Sequence, residues 1–427
     1  MKGFSVKRTI LTGFAFFLIC AFWQAYDNAM PLIMINKYGM TQTWSGVIMA
    51  LDNVFALFLL PLFGALSDKT NTRFGRRKPY IVIGTILAVI FFILLPLIDR
   101  LWVFIFVLLL TLLSMSVFRS PAVALMPDVT CKPHRSKGNA IINLMGTAGG
   151  MMVLVLGMIF KTDETGKTDF FAYILATAGL MLLALIVFVL FVREKEWSAE
   201  MQENTAKYYP DEEQKERDSV GGKLTKSQIA SLLLILSSVA LWYMGYNAVT
   251  SKYSVYAGKV LNQNYNVTML IAQGAAIVSY FPVGLLASAI GRKKSILIGV
   301  GMLFTAFLCA AFMRSGSPVI IMYVLFALAG VGWATINVNS FPMVVELAKG
   351  SDVGRYTGYY YTASMAAQTL TPVLSGALMD IVGNMLPLFI YASVMVGGSF
   401  LTMLFVRHGD SKPPKAKSRL EAFADND

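Results

Sequence analysis

The sequence predicts an all-α integral membrane protein of twelve spanning helices. Three observations carry that prediction: an apolar composition, apolar runs of bilayer length, and a one-sided placement of basic loops. Of 427 residues, 56% are hydrophobic and 14% charged, with a mean hydropathy of +0.63, whereas soluble domains carry about 25% charged residues. A helix needs about 20 apolar residues to cross a hydrocarbon core about 30 Å thick. Runs of that kind cover 10–35, 43–66, 79–98, 101–126, 138–160, 170–192, 227–250, 264–288, 295–313, 317–345, 356–380 and 385–406. The first and tenth run long, which predicts bends or tilt.

The first run continues well past any small-residue cleavage site, so it reads as a retained helix and not a signal peptide. The longest interruption, 193–226, is charged and reads as a solvated connector between two groups of six. The expected organisation is therefore an N-terminal six-helix half at 1–192, a cytoplasmic linker at 193–226, a C-terminal six-helix half at 227–406 and a cytoplasmic tail at 407–427. With both ends cytoplasmic, 28 of the 36 Lys and Arg residues lie on the inner side and seven on the outer, among them Lys252. That asymmetry predicts N-in, C-in topology. It also accounts for the net charge of +12 through membrane insertion and lipid headgroups, without a nucleic-acid partner. Cys20, Cys131 and Cys309 are far apart in sequence, so neither a disulfide framework nor a metal cluster is expected.

The halves repeat. Pro61-Leu-Phe-Gly64 returns as Pro282-Val-Gly284, Arg135-Ser-Lys-Gly138 as Arg355-Tyr-Thr-Gly358, and Trp23-x-x-Tyr26-Asp27-Asn28 as Trp242-x-x-x-Tyr246-Asn247, at offsets of 219 to 221. Gly75-Arg-Arg-Lys returns as Gly291-Arg-Lys-Lys at 216. A parallel repeat of two six-helix halves implies a substrate site near mid-membrane at the repeat interface.

The most specific motif lies between the second and third runs, GALSDKTNTRFGRRKP at 64–79. Its spacing, Asp68-x4-Arg73-x-Gly75-Arg76-Arg77-Lys78-Pro79, resembles the loop between helices 2 and 3 of major facilitator superfamily transporters. The Arg-x-Gly-Arg-Arg-Lys-Pro form resembles the sugar–cation symporters, including the sucrose–proton branch. Pro121-Ala-Val-Ala-Leu-Met-Pro127-Asp128, followed by Arg135 and Asn139, is similar to the helix 4–5 region of glycoside–pentoside–hexuronide:cation symporters. The resemblance covers roughly 20–145 well and the second half more weakly. It implies the facilitator fold, a monomeric plasma-membrane transporter, and a gating role for Asp68, Arg73, Gly75, Arg76 and Arg77. Arg135 and Arg355, at equivalent loops of the repeat, join the gating candidates.

Charged groups inside a span are costly and face a cavity, pair, or mark a pathway. Within the limits above, Asp27, Asp52 and Arg119 are well inside, all in the first half. By helical rise, Asp27 and Asp52 fall in the same outer portion and Arg119 nearer the cytoplasm. A proton-sharing Asp27–Asp52 pair is thus easier to draw than a direct Asp27–Arg119 bridge. All three are proton-coupling candidates, weighed against the plain reading that they only hold the bundle together.

A sugar site needs amides and carboxylates for hydroxyl pairs and aromatic rings for the C–H face. Candidates are Trp23, Gln24, Tyr26, Asp27, Asn28, Asn53, Arg119 and Asn143 in the first half. In the second they are Tyr243, Tyr246, Asn247, Trp333, Asn337, Tyr360 and Gln368, with Trp242, Asn339, Tyr359 and Tyr361 nearby. Ordinary interhelical hydrogen bonding explains any single one of them; their concentration on helices 1, 7, 10 and 11 points to a site.

Sodium-using relatives carry carboxylates where this chain has Leu60, Ala56 and Arg119. A hard cation wants several oxygen ligands, so sodium coupling by that site is not expected. No cofactor or metal is implied. The expected function is proton-coupled symport of a disaccharide or glycoside by alternating access. The alternative is a proton-coupled antiporter or exporter of another small molecule. A membrane enzyme has little support, since His134 and His408 both lie outside the runs and no HExxH motif occurs.

Overall fold

A computed structural model describes residues 4–131, 135–160, 170–208, 225–345, 347 and 353–409. Among them every regular element is helical, apart from an isolated bridge between Thr72 and Gly75. The helices are α1 (Val6–Asn36), α2 (Gln42–Lys69), α3 (Lys78–Leu94), α4 (Leu101–Val129), α5 (Arg135–Ile159), α6 (Phe170–Phe191) and α7 (Glu194–Tyr208). They continue as α8 (Lys226–Tyr256), α9 (Tyr265–Ile290), α10 (Arg292–Ala310), α11 (Val319–Val345), α12 (Val353–Val382) and α13 (Pro387–Leu404). Each of the twelve apolar runs coincides with one long helix. Among the described residues eleven helices are long and apolar enough to cross a membrane, and α9 is 26 residues long.

Hydrocarbon offers no hydrogen-bond partners, so each span must satisfy its backbone internally, which a helix does. Prolines interrupt the ladders of α1 (Pro31), α2 (Pro61), α4 (Pro121, Pro127), α9 (Pro282), α11 (Pro342) and α12 (Pro372). Such breaks are tolerated in spans because neighbouring groups re-satisfy the freed carbonyls. Large apolar side chains such as Phe58, Val278, Leu190 and Ile381 are exposed. In lipid that is the favourable face, and the helices meet through small residues. In α5, Gly149 lies against the backbone of Phe17 in α1, and Gly299 of α10 faces Gly332 of α11 so closely that a methyl on either would meet the other's carbonyl.

The chain packs as two compact units, Met1–Gly39 with Leu51–Pro210, and Met40–Ala50 with Asp211–Asp427. In the first, α1 packs on α5 and α6, and α3 on α4 and α6. In the second, α11 packs on α9 and α10, and α8 on α12 and α13. Helix α2 is shared, with 42–50 in the second unit and the remainder in the first.

Two elements differ from the sequence expectation. The seventh run was expected to end at 250, yet α8 continues through Tyr256 into a π-helical turn at Ala257–Leu261. That turn ends at Asn262, whose φ of 53° is the left-handed conformation asparagine tolerates. Lys252 is therefore not a loop residue: it lies within α8 and is 2% exposed. The connector at 193–226 also begins with a folded element, α7, in which Glu194 and Trp197 are buried.

Helix α8 opens on a capping box. Thr225 Oγ1 accepts from the Gln228 N–H at 3.3 Å, and Gln228 Oε1 accepts from the Thr225 N–H at 3.0 Å. Thr225→Ala is expected to cost about 1 kcal/mol, seen as a lower thermal-unfolding midpoint of the purified protein with transport retained.

Candidate functional site

The polar residues of the first unit gather along one stripe of α1. Cys20, Trp23 and Asp27 are spaced i, i+3, i+7 and so share a face. Arg119 of α4 comes to that face, its guanidinium 5.3 Å from the Trp23 ring centroid. Asp52 of α2 is held by Asn53, whose Nδ2 donates to Oδ1 at 2.7 Å. Asp27, Asp52 and Arg119 lie within electrostatic reach of one another, and Cys20 within reach of Arg119. Among the described residues no ion pair closes between either carboxylate and Arg119. Close charges without a direct bond leave polar atoms available to a ligand.

The other first-unit candidates are placed as follows. Trp23 meets Tyr26 edge-on at 5.3 Å, and Tyr26 stacks on Phe22, which packs against Phe92 of α3. Tyr26 and Asn28 are fully buried, and neither amide atom of Asn28 is hydrogen-bonded. Gln24 is half-buried, as is Asn143 of α5, whose carbonyl accepts from Thr147.

In the second unit an aromatic cluster forms between α8, α11 and α12. The Tyr246 ring stacks on Trp333 with centroids 3.6 Å apart and planes 5° from parallel, while Tyr243 meets Trp333 edge-on at 5.3 Å. The hydroxyls of Tyr243 and Tyr360 are hydrogen-bonded, and Ser340 joins Tyr360 at 2.9 Å. Asn337 follows Trp333 by four residues on the same face of α11 and is half-buried. Asn247 keeps a buried Oδ1 without a partner. Other candidates turn elsewhere. Trp242 is wholly inside the unit, and Asn339 and Gln368 donate to carbonyls of their own helices, Thr335 and Ser364. Tyr361 is exposed, and Tyr359 packs on Tyr356.

The 64–79 loop is an ionic knot within the first unit. Arg77 is buried, and its Nε donates to Asp128 Oδ2 at 2.8 Å. It also bonds Asp68, the Ser67 hydroxyl and, at 3.3 Å, the Gly64 carbonyl. Arg76 takes the other Asp128 oxygen at 2.8 Å. Arg73 stays outside, exposed over the Phe74 ring. The side chains of Arg135 and Arg355 lie outside the described residues.

Sequence reasoning missed two anions here. One is Asp128, quoted only as part of a motif. The other is Glu194, whose carboxylate accepts the backbone N–H groups of Arg76, Arg77 and Lys78 at 2.8, 2.8 and 2.7 Å. Lys78 opens α3 and Arg77 is its N-cap, so the carboxylate sits on the N–H groups at the start of the helix, where no intrahelical partner exists and the positive end of the helix dipole is presented. Gly75, at φ +118°, is needed because a side chain there would overlap the Glu194 carboxylate. In return Lys78 Nζ donates to the Val189 and Val192 carbonyls at the end of α6, both at 2.8 Å. Helix α7 is then tied to α1 by Arg8, paired with Glu200 at 2.7 Å and lying over Trp197.

Glu194→Ala strands three N–H donors, which is expected to cost about 2–4 kcal/mol. The check is a marked drop in unfolding midpoint, partly restored in Glu194→Gln. Lys69→Ala, at an exposed position outside the knot, is expected to leave both midpoint and transport unchanged.

Comparison with known proteins agrees with this architecture. The sequence pattern of the family described as MFS/sugar transport protein matches residues 13–383. An uncharacterized MFS-type transporter of Methanocaldococcus jannaschii is 24% identical over 407 residues, 94% of this chain and 95% of its own length. A sucrose transport protein of Arabidopsis thaliana is 34% identical over 62 residues, 14% of this chain and 12% of that one. The crystal structure of a nucleoside transporter superposes with a TM-score of 0.65 over 94% of this chain and 98% of its own, at 13% identity, a likeness of fold. The ionic loop, the twelve long helices and the match over most of the sequence lead to one conclusion: this chain is a multi-pass membrane transporter of the MFS/sugar transport protein family.

Proposed function

We propose that the protein is a proton-coupled symporter of a disaccharide or glycoside, working as a monomer in the plasma membrane with both termini cytoplasmic. The observation that carries this reading is the Asp27–Asp52–Arg119 cluster, in which two carboxylates face one guanidinium with no ion pair closed between them. With both carboxylates ionised the cluster carries one net negative charge. One proton makes it neutral. A neutral cluster surrenders its hydration at lower cost than a charged one, so protonation favours replacing water by sugar hydroxyls. By linkage the sugar favours the proton to the same extent, and that reciprocity is symport. Arg119 supplies the fixed positive charge, held over Trp23.

Trp333, backed by Tyr246 and braced by Tyr243, presents a rigid ring surface suited to the C–H face of a pyranose, with Asn337 and Asn247 for its hydroxyls. The family's description as sugar transport and the local similarity to a sucrose transport protein support the same substrate class.

The test is uptake of labelled mono- and disaccharides into proteoliposomes, with and without an inward proton gradient and with sodium absent. Accumulation that collapses with a protonophore is expected; no uptake of any sugar under any gradient removes the proposal. Asp27→Asn is expected to abolish accumulation in a folded protein, and full accumulation in that variant takes Asp27 out of the mechanism. Trp333→Ala is expected to raise the KM for sugar about fivefold to tenfold, with a smaller effect on maximal rate.

A further inference from the structure

The first unit holds a cavity of about 340 Å³ on the face that carries the 64–79 loop, a volume within the range of small-molecule sites. Three segments wall it. From α7 come Trp197, Glu200, Met201 and Asn204, spaced i, i+3, i+4, i+7 and so on one face of that helix. From α1 come its N-cap Ser5 and, one turn on, Arg8. The end of α4 adds Val129 and its C-cap Thr130. Arg8 precedes Asp27 on α1 by 19 residues, about 28 Å of helix, so this cavity is distinct from the Asp27–Asp52–Arg119 cluster. Within it, Arg8 Nη1 donates to Glu200 Oε2 at 2.7 Å, and the guanidinium lies 5.5 Å from the Trp197 ring centroid. Thr130 is 5% exposed, and its methyl faces Gly138 of α5, which leaves the hydroxyl to the cavity. Among the described residues that hydroxyl makes no hydrogen bond, and neither does the half-buried amide of Asn204. A hydroxyl so deeply buried is ordinarily satisfied.

We propose that this cavity binds a neutral polyhydroxylated molecule, a sugar or a polyol. Charge decides against other ligands. Arg8 and Glu200 balance each other, so an anion would have to displace Glu200 and a cation Arg8. A hydroxyl displaces neither, because it accepts from a guanidinium N–H while donating to a carboxylate oxygen. Arg8 has further N–H donors beside the one on Glu200, and Glu200 has a second oxygen, so a diol spans the pair with its bond intact. Thr130 and Asn204 each donate and accept, and so take further hydroxyls. Val129 and Met201 offer apolar surface to the C–H groups between them. The bound molecule joins α1, α4 and α7, and α7 is the helix whose Glu194 caps α3. Occupancy therefore fastens that cap.

The site does not depend on what the protein transports, and the experiment keeps the two apart. Val129→Cys in the purified full-length protein is alkylated by a maleimide with and without glucose or sucrose, corrected for the native cysteines. A sugar at about ten times its dissociation constant is expected to slow alkylation about tenfold, while glycine and inorganic phosphate leave it unchanged. Asn204→Leu and Thr130→Val are each expected to raise the sugar concentration for half-protection about fivefold to tenfold, in protein whose unfolding midpoint shows it folded. Trp333→Ala is expected to leave that concentration unchanged. Alkylation indifferent to both sugars, or slowed as much by phosphate or glycine, overturns the site. So does protection that Trp333→Ala weakens and the two cavity variants do not. A protein that accumulates no sugar yet shows this protection keeps the site and loses the symport reading.

Discussion

A group inside hydrocarbon cannot exchange its hydrogen bonds with water, and the whole chain is arranged around that constraint. It forces each span into a helix, restricts irregular backbone to the ends, and makes every charge within a span a matter of partners. The charged residues within the spans are accordingly concentrated. Asp27, Asp52 and Arg119 share one locality on α1, α2 and α4, and Lys252 and Asp380 meet the same turn of α2. The contrast between the two groups is informative. The second is satisfied by direct bonds. The first has charges near one another with, among the described residues, no ion pair between them.

The same accounting explains the ionic knot at the membrane edge. Four basic residues at 73–78 would repel one another if merely clustered, and Arg77 would be costly to bury. Asp68 and Asp128 take its guanidinium, while Glu194 takes the backbone around it. The loop is thus ordered by anions from three other segments, and the conformation of α3's first turn depends on all of them. Because these partners come from the ends of α2 and α4 and the start of α7, the knot also fixes how α2 and α4 terminate and where α7 begins.

What was legible in the sequence follows from how local each cause is. Helix positions were readable because bilayer thickness dictates run length, and the Trp23–Asp27 stripe because helical period dictates facing. The extent of α8 was not readable, since Lys252 looks like a loop cation until the Gln42 carbonyl, 210 positions away, is placed beside it. Helix α7 looked solvated because Glu and Lys dominate it; the burial of Glu194 comes from N–H groups 116 to 118 residues earlier. Among the aromatics, Trp242 and Tyr243 were equally good candidates. They are neighbours on α8, whose apolar residues are spread around the helix and mark no single face, so pattern alone could not say that Trp242 turns into the core and Tyr243 toward Trp333.

The capping of α3 by Glu194 has a practical corollary for dissecting the molecule. A chain divided at the end of the last apolar run of the first half, near 192, would separate α3 from the carboxylate that closes its first turn, and α1 from Glu200 and Trp197. Two co-expressed fragments, a circular permutant or an inserted reporter should therefore have their junction beyond Tyr208. There the first fragment keeps α7 as its own buttress and the second begins ahead of the Thr225 cap. By physical dependence, the first half of this transporter extends about one short helix further than its membrane spans.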